Sequence, residues 1–305
     1  MMRISVVVLA ICVGLLGAAW AQDNWQTVTE SDEVFEEGYV QVIGASEEGQ
    51  SRYRALRAAR VVAQRDLLEA MQGLNLFGST SVKDGMLESD EIKTSVEGFL
   101  KGAMNCGQKY DSNRKYAEVC MRVNIRGKGG MYETLLPLVK DDRLIQEKKT
   151  EYKPSTAAVT PSGQMAKGTE AQMEKPEKPT SKPQVAAPSE LANPYDGLIV
   201  DARGFKFRPA LVNRILTDQE QVVFDPSKIL SNVLVERGCG GFTTDDGKAK
   251  ALLENWGSKN PLIVRCVDVS NFTEAKISQD DAAAVYVNDQ KSHLLAQARV
   301  VFLLE

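Results

Sequence analysis

Residues 196–209 read DGLIVDARGFKFRP and decide how the second half of the chain folds. The apolar run from Leu198 to Val200 lies between a glycine and an aspartate, which is typical of a strand buried on both faces. Gly204 favours a bend after it, because glycine takes a positive φ without steric cost, and Pro209 ends any strand pairing. The stretch therefore predicts a core strand at the start of a second globular unit.

Two charged residues follow this predicted strand. Asp201 and Arg203 could line a site, or they could form an ion pair that positions the end of the strand. The ion pair is the interpretation that we favour.

The composition is that of an ordinary globular protein. The chain has 305 residues, of which 43% are hydrophobic and 26% charged, and this length suits two domains. A formal charge of −4 and a pI near 5.4 disfavour binding to nucleic acid or to other polyanions.

The first residues predict export from the cytoplasm. Arg3 precedes an apolar run from Val6 to Ala19, and Ala19-Trp20-Ala21 has the small-x-small pattern that signal peptidase prefers. We predict a signal peptide over residues 1–21 and a periplasmic mature protein that begins at Gln22.

A lipobox is the alternative interpretation of the same segment. Leu9-Ala10-Ile11-Cys12 would make Cys12 a lipidated anchor, but it leaves little apolar sequence before the cut. Soluble export is the interpretation that we favour.

Four cysteines remain after such processing, and exported proteins can form disulfides. Cys106 and Cys120 lie symmetrically about Asn113, the centre of a predicted hairpin, so we expect a bridge across the two strands. A second bridge between Cys239 and Cys266 follows only by elimination.

Residues 22–145 predict an N-terminal α+β domain. Small and apolar residues recur every three to four positions from Gln50 to Gln72, which predicts a long helix whose alanines let it lie close to a sheet. The other predicted elements are a strand over 38–45, a strand or hairpin arm over 74–83 with a turn at Asp84-Gly85, a helix from Asp90 to Leu100, strands over 103–109 and 116–125, and a short helix over 132–139. The order predicts helices on a mainly antiparallel sheet.

The long helix carries a basic stripe away from its core face, formed by Arg54, Arg57, Arg60 and Arg65. This stripe could dock on an acidic partner or on a cell-wall polymer. The simpler interpretation is a solvated helix face, balanced by Asp66 and Glu69. The four arginines are kept as a candidate partner-binding site.

Residues 146–194 predict a disordered linker. Periodicity disappears there, and polar residues alternate with seven of the chain's eleven prolines. Such a segment cannot bury enough apolar surface to offset its ordering entropy. The two domains are therefore expected to pack independently.

Residues 195–305 predict a C-terminal α+β domain. Its expected elements after the first strand are a strand over 222–224, helices over 228–236 and 246–256, a strand over 262–269, a helix over 278–287 and a final strand within 298–305. The final strand is so apolar that we expect it to be central. The predicted fold class is α+β, with two small sandwich domains of helices on mainly antiparallel sheets.

We find no catalytic signature in the sequence. Gly241 to Lys248 resembles a phosphate-binding loop but has one residue too many, and Ala249 replaces the required Ser or Thr. His293 is the only histidine and stands apart from the cysteines, which argues against both a metal site and a nucleophile activated by a base. Two acidic pairs are expected to be helix-start charges, namely Asp245 with Asp246 and Asp280 with Asp281. We therefore predict no enzymatic activity, no cofactor and no metal.

Several stretches resemble a known family. DGLIVDARG (196–204) with the following FRPAL, NPLIVR (260–265), KISQDDAAAV (276–285) and LLAQARVVFLL (294–304) resemble the module of FlgT-type flagellar basal-body proteins and of the related outer-membrane lipoproteins that include FlgP. The run RALRAARVVAQRDLLEAMQGLNL (54–76) resembles the Ala/Arg-rich helix of the same proteins. This FlgT/FlgP-like resemblance implies a periplasmic or outer-membrane-associated assembly factor. This sequence differs from the family pattern in two features, its weak lipobox and its long linker.

Three functional hypotheses follow. The first is an exported, envelope-associated, non-enzymatic protein that binds protein partners, in flagellar or surface assembly. The second is a periplasmic binding module for a cell-wall polymer or small ligand, which would use the arginine stripe. The third is a hydrolase with an unrecognised site. Outer-membrane or cell-wall association and oligomerisation stay open.

Overall fold

The computed structural model describes residues 25–141, 144, 149–154 and 194–305. Two α+β domains lie on either side of residues 155–193, which confirms the predicted fold class. The predicted signal peptide, the lipobox and most of the predicted linker lie outside the described residues.

The first domain is built on a three-stranded antiparallel sheet with strand order β1-β5-β4. Its elements are α1 (Ser31–Glu37), β1 (Tyr39–Ala45), α2 (Arg52–Gly73), β2 (Asn75–Phe77), β3 (Thr80–Ser81), α3 (Val82–Glu88), α4 (Asp90–Leu100), β4 (Met104–Asp111), β5 (Tyr116–Asn124), α5 (Met131–Thr134) and α6 (Leu136–Lys140).

Helix α2 lies close to this sheet because its contact face consists largely of alanine. Ala55, Ala59 and Ala63 are fully buried, and Gly44 of β1 lies directly beneath them. A Cβ atom at Gly44 would stand 2.2 Å from the carbonyl oxygen of Ala59. The helix lies mainly over β1 and β5, which leaves much of β4 uncovered.

Two predicted details of the first domain are wrong. Asp84 and Gly85 do not form a turn but lie inside α3, where Asp84 completes a capping box with Ser81. The Ser81 amide donates to Asp84 Oδ2 at 2.9 Å, and the Asp84 amide donates to Ser81 Oγ at 3.2 Å. The predicted helix over 132–139 is divided between α5 and α6.

The predicted disulfide between Cys106 and Cys120 is confirmed, with 5.1 Å between the Cα atoms. It joins β4 to β5 at a β-bulge, so that Gly107 rather than Cys106 stands opposite Cys120 in the register.

The second domain contains two four-stranded sheets. Its elements are β6 (Gly197–Asp201), β7 (Arg214–Thr217), β8 (Val222–Phe224), a 3-10 turn (Pro226–Lys228), α7 (Ser231–Arg237), β9 (Gly241–Thr243), α8 (Asp246–Asn255), β10 (Pro261–Arg265), β11 (Asp268–Ser270), β12 (Glu274–Ile277), α9 (Gln279–Ser292) and β13 (Val300–Leu303).

The first of these sheets has the order β10-β6-β13-β9 and is parallel throughout, so the expectation of mainly antiparallel pairing is wrong for it. The apolar strands β6 and β13 are central, as predicted, because helices or other layers cover both of their faces. The second sheet is mixed, with the order β11-β12-β7-β8. The predicted strand over 262–269 is divided between the two sheets as β10 and β11.

The strand order also explains why the second predicted disulfide is wrong. Cys239 and Cys266 are both free and buried. Cys239 precedes β9 and Cys266 follows β10, the opposite edges of the parallel sheet. Three strand spacings separate these edges by roughly 14 Å, whereas bridged cysteines have Cα atoms within about 7 Å.

The two domains share one hydrophobic core, so the expectation of independent packing is wrong. The amides of Leu211 and Val212 donate to the carbonyls of Asn75 and Leu76, each at 3.0 Å. In addition, the rings of Phe35 and Phe242 meet edge to face at 5.8 Å.

The start of the predicted linker belongs to the second domain. Glu151 forms a parallel bridge to Val222 at the outer edge of β8. Tyr152 is buried and packs edge to face on Tyr286 of α9. Residues 149–154 are therefore ordered, and the predicted boundary at 146 is wrong for them.

Candidate functional site

The candidate site is a groove between α2 and the edge strand β4, which we call the α2 groove. It encloses about 520 Å³ and is lined by Tyr53, Leu56, Arg57, Arg60, Val61, Gln64 and Gln108. Six of these residues belong to the helix, and Gln108 belongs to β4.

Helical spacing brings the lining residues to one face. Tyr53, Arg57, Arg60 and Gln64 recur every three to four positions, which places them in one row along α2. The alanines that pack on the sheet form a separate row. One helix thus supplies both the core contact and the wall of the groove.

The groove exposes large apolar side chains to solvent. Tyr53 is 74% exposed and Val61 is 59% exposed. Exposed apolar groups that cluster beside polar ones are characteristic of interaction sites.

The charge of the groove is positive. Arg57 and Arg60 are exposed and have no ion-pair partner within the described part of the chain, and no acidic side chain is among the lining residues. Neither guanidinium is therefore neutralised by the protein around it.

The four predicted arginines do not form one site. Arg57 and Arg60 line the groove, while Arg54 is exposed outside its lining. Arg65 bonds to Asp66 at 2.9 Å and lies 3.8 Å from Glu69, and the hydrogen bond to Asp66 raises the pKa of Arg65. The alternative of a balanced, solvated face therefore applies to Arg65 but not to the two groove arginines.

A second depression continues the groove along the helix. It encloses about 330 Å³, shares Gln64 with the first, and is lined further by Leu67, Leu68, Glu97, Leu100, Lys101 and Ala103. Four of its lining side chains are apolar and the charges of Glu97 and Lys101 are opposite, so the excess positive charge of the combined surface lies at the Arg57 and Arg60 end.

Strand β4 is an open sheet edge beside the groove. It pairs with β5 only, and no backbone hydrogen bond joins its other edge to any described residue. Asn105, Gln108 and Lys109 are exposed along it. An unpaired edge presents free N–H and C=O groups to another chain.

The predicted ion pair between Asp201 and Arg203 is present. Arg203 Nη2 lies 2.7 Å from Asp201 Oδ2, and its Nη1 lies 2.9 Å from Asp246 Oδ2 in the first turn of α8. The hydrogen bonds from Arg203 lower the pKa of Asp201. The pair ties the end of β6 to α8, as the structural interpretation predicts.

The other predicted features have structural roles. His293 is exposed and ends α9 with a φ of 51°. Asp245 caps α8, where its Oδ1 accepts the Lys248 amide at 2.7 Å, and this carboxylate occupies the helix N-terminus that a phosphate would need. Gly238 has a φ of 70°, and a Cβ atom there would meet the Tyr132 ring at 2.5 Å. This glycine serves close packing between the domains.

A largely buried ionic cluster in the second domain has no signal in the sequence. Arg214 Nη1 lies 3.6 Å from Glu274 Oε1, and Lys149 Nζ lies 3.0 Å from Glu274 Oε2. Asp225 pairs with Arg214, and Glu220 pairs with Lys149. The ring of Phe77 in the first domain covers the Arg214 guanidinium at 5.0 Å. These residues are far apart in sequence, so no local pattern could have predicted the cluster.

Across 25–141, 144, 149–154 and 194–305, no group of three or more His, Cys, Asp or Glu side chains is arranged to hold a metal ion. Over the same ranges, no helix has both the length and the apolar composition that a membrane span requires.

Comparison with protein-family models gives a similarity for the second half of the chain. A family model described as Treponema pallidum Tp0624, second domain, matches residues 197–305. No curated protein matches the sequence. The matched region corresponds to the C-terminal domain and does not include the α2 groove.

Proposed function

We propose that this chain is an exported, envelope-associated, non-enzymatic interaction protein that binds a protein partner through the α2 groove. The observation that carries the proposal is the combination of two unneutralised arginines with exposed Tyr53 and Val61 on a single face. Aromatic and arginine side chains are the residue types most enriched in the energetically dominant parts of protein interfaces.

The geometry of the groove supports a macromolecular partner. The α2 groove and the adjoining depression lie side by side along the helix and share Gln64, so they offer an elongated surface. Tyr53 would supply apolar contact area with little loss of conformational entropy, and the two guanidinium groups would set the charge of the partner.

Site-specific photo-cross-linking tests the proposal. A p-benzoylphenylalanine residue that replaces Gln64 lies in the groove, and one that replaces Leu87, which is 79% exposed, serves as the matched control outside it. We expect cells that carry the Gln64 variant to yield a discrete protein adduct, which purified components then reproduce. Equal labelling from both positions, or no protein adduct from Gln64, would contradict the proposal.

Binding to a cell-wall polymer is the second candidate. It is favoured by the exposed Tyr53 ring beside Arg57 and Arg60, since an aromatic face can stack on a sugar and guanidinium groups can pair with the carboxylates of wall peptides. Purified peptidoglycan should then retain the wild type but not the R57E/R60E variant. Equal retention of both proteins would remove this candidate.

Export and flagellar assembly are separate parts of the proposal. Mass spectrometry of the protein from its own host should find a mature N-terminus at Gln22, and a cytoplasmic full-length chain would contradict export. The resemblance to FlgT/FlgP-like proteins motivates a motility assay of a deletion strain. Normal motility and filament number would remove the flagellar role without affecting the groove.

A further inference from the structure

We infer that the partner segment in the α2 groove is an extended, acidic peptide that adds as a further strand to the free edge of β4. This inference rests on the proposed function and names the chemistry and the conformation of the partner.

The free edge of β4 supplies the backbone contacts. Because β4 is the last strand of the order β1-β5-β4, no described strand pairs with its outer edge. An extended peptide can pair with this edge through its own backbone, which gives affinity without specific side chains.

Side-chain directions connect this edge to the groove. Gln108 stands opposite Val119 in the register, and Val119 is buried beneath α2, so Gln108 also lies on the helix side of the sheet. Since side chains alternate along a strand, every second residue of an added strand would face the helix. Those residues would meet Arg57 and Arg60.

The charge of the groove favours acidic residues at those positions. The two arginines lack a carboxylate partner within the described residues, and an incoming Glu or Asp would complete each pair. A basic segment would place like charges together, which is unfavourable.

The length of the surface fits a short peptide. The helix face from Tyr53 to Leu68 is about 22 Å long at 1.5 Å per residue, which corresponds to roughly seven residues of extended chain. A helical occupant would use its backbone groups internally and form no backbone hydrogen bonds with the β4 edge, so the edge favours an extended one.

Fluorescence anisotropy with a labelled heptapeptide of alternating Glu and Val tests the inference. The full chain without its predicted signal peptide should bind this probe, and a Lys and Val heptapeptide should not bind. The R57Q/R60Q variant should bind the acidic probe roughly tenfold more weakly, since two exposed ion pairs are lost. The R52Q/R65Q variant makes the same charge change on the same helix outside the groove lining, and should bind as the wild type does.

Backbone methylation separates strand addition from simple charge attraction. Two versions of the acidic heptapeptide carry N-methyl groups on alternate residues. One version is methylated at the odd-numbered residues and the other at the even-numbered residues, so each version blocks the N–H groups of one edge of the peptide. Only one edge of the peptide can face β4, so one methylated version should lose binding and the other should retain it. Equal binding of both versions, equal binding of the basic peptide, or no binding of any peptide would overturn the inference.

The outcome is distinguishable from failure of the proposed function. If the Gln64 cross-link to a protein partner persists while the peptide tests fail, strand addition is wrong and the groove remains a protein-binding site. If the cross-link is absent as well, both are wrong.

Discussion

Gly44 determines how closely α2 approaches the sheet of the first domain. A Cβ atom at this position would lie 2.2 Å from the Ala59 carbonyl oxygen and 2.2 Å from the Ala63 amide nitrogen. Both neighbours are backbone atoms of a helix, so neither can move without displacing α2. The close packing of helix on sheet, and with it the position of the groove arginines, depends on this single missing side chain.

We therefore expect Gly44→Ala to destabilise the protein by about 1–3 kcal/mol, the usual cost of overpacking a core. Gly98 is the matched control, because it lies exposed inside α4 with no atom within 4 Å of an added Cβ. Gly98→Ala should stabilise the protein by about 0.5–1 kcal/mol. Urea unfolding measures both changes. A neutral Gly44→Ala variant would show that α2 can shift without cost.

Glu220 makes the attachment of residues 149–154 sensitive to acid. Hydrogen bonds from Lys149 and then from Lys276 lower the pKa of Glu220 from 4.5 to about 2. Because the pKa is lower in the folded state, the contribution to stability is complete above about pH 4.5 and is lost as the pH falls toward 2. The side chain is 44% exposed, so solvent screening keeps the contribution modest.

The E220Q variant should accordingly lose less stability than the wild type between pH 4.5 and pH 2. Urea unfolding midpoints across this range measure the difference. The K149Q variant should reproduce part of the effect, since it removes the first of the two partners. Parallel curves for E220Q and the wild type would contradict the assignment.

At the scale of elements, the β4–β5 hairpin combines a disulfide with the open edge. The bridge from Cys106 to Cys120 closes a short loop, and in the chain-entropy model it restricts the unfolded chain. The hairpin supplies the edge on which strand addition depends, so its stability bears directly on the proposed site.

We expect the C106S/C120S variant to be less stable by roughly 3 kcal/mol. Reduction of the wild-type protein should produce a similar loss in guanidinium unfolding. An equal stability of the oxidised and reduced proteins would mean that the sheet alone holds the hairpin.

The two remaining described cysteines should behave as inert thiols. Burial raises the pKa of Cys239 to about 12 and also raises that of Cys266. Since the thiolate is the reactive form, neither residue should be alkylated in the native protein near neutral pH, and both should be alkylated after unfolding. Peptide mapping measures this, and a linked Cys239–Cys266 peptide would contradict the structure.

The elements that the sequence predicts well are those whose own residues carry the signal. Strands β6 and β13 were predicted as buried because each is a continuous apolar run. Strands β7 and β12 were missed because each contains a charged residue, Arg214 or Glu274. These two residues stand opposite each other in the parallel register, and their ion pairs with each other, with Asp225 and with Lys149 offset the cost of burying them.

The part of the candidate site that lies on α2 can be predicted from the sequence, but the part that lies on β4 cannot. Helical spacing identified the row of arginines on α2, since that signal is local. The role of Gln108 and the open edge of β4 depend on the order of strands in the sheet, which the hairpin pattern does not specify. The separation of Arg65 from the groove likewise depends on its ion pairs with Asp66 and Glu69.

At the scale of the whole molecule, the shared core should make both domains unfold together. Tyr132 of the first domain is fully buried against Gly238, and its hydroxyl donates to the Leu211 carbonyl at 3.0 Å. The contact joins residues that are distant in sequence. It therefore couples the stability of one domain to that of the other.

Calorimetry of the wild type should show one cooperative transition, and Tyr132→Ala should lower the stability by about 3–5 kcal/mol within that transition. Tyr195, which is 39% exposed, provides the control, and Tyr195→Ala should change the stability by less than about 0.5 kcal/mol. Two separated transitions, of which Tyr132→Ala moves only one, would contradict a shared core.

The bridge from Glu151 to Val222 has one more consequence. Residues 149–154 and residues from Pro194 onward both belong to the C-terminal half, so the chain is attached to that half on both sides of residues 155–193. A protease site engineered within 155–193 should therefore yield two fragments that co-elute under native conditions and separate only in denaturant. The two polypeptides should also reassemble when they are produced separately, because each supplies part of the same folded domain.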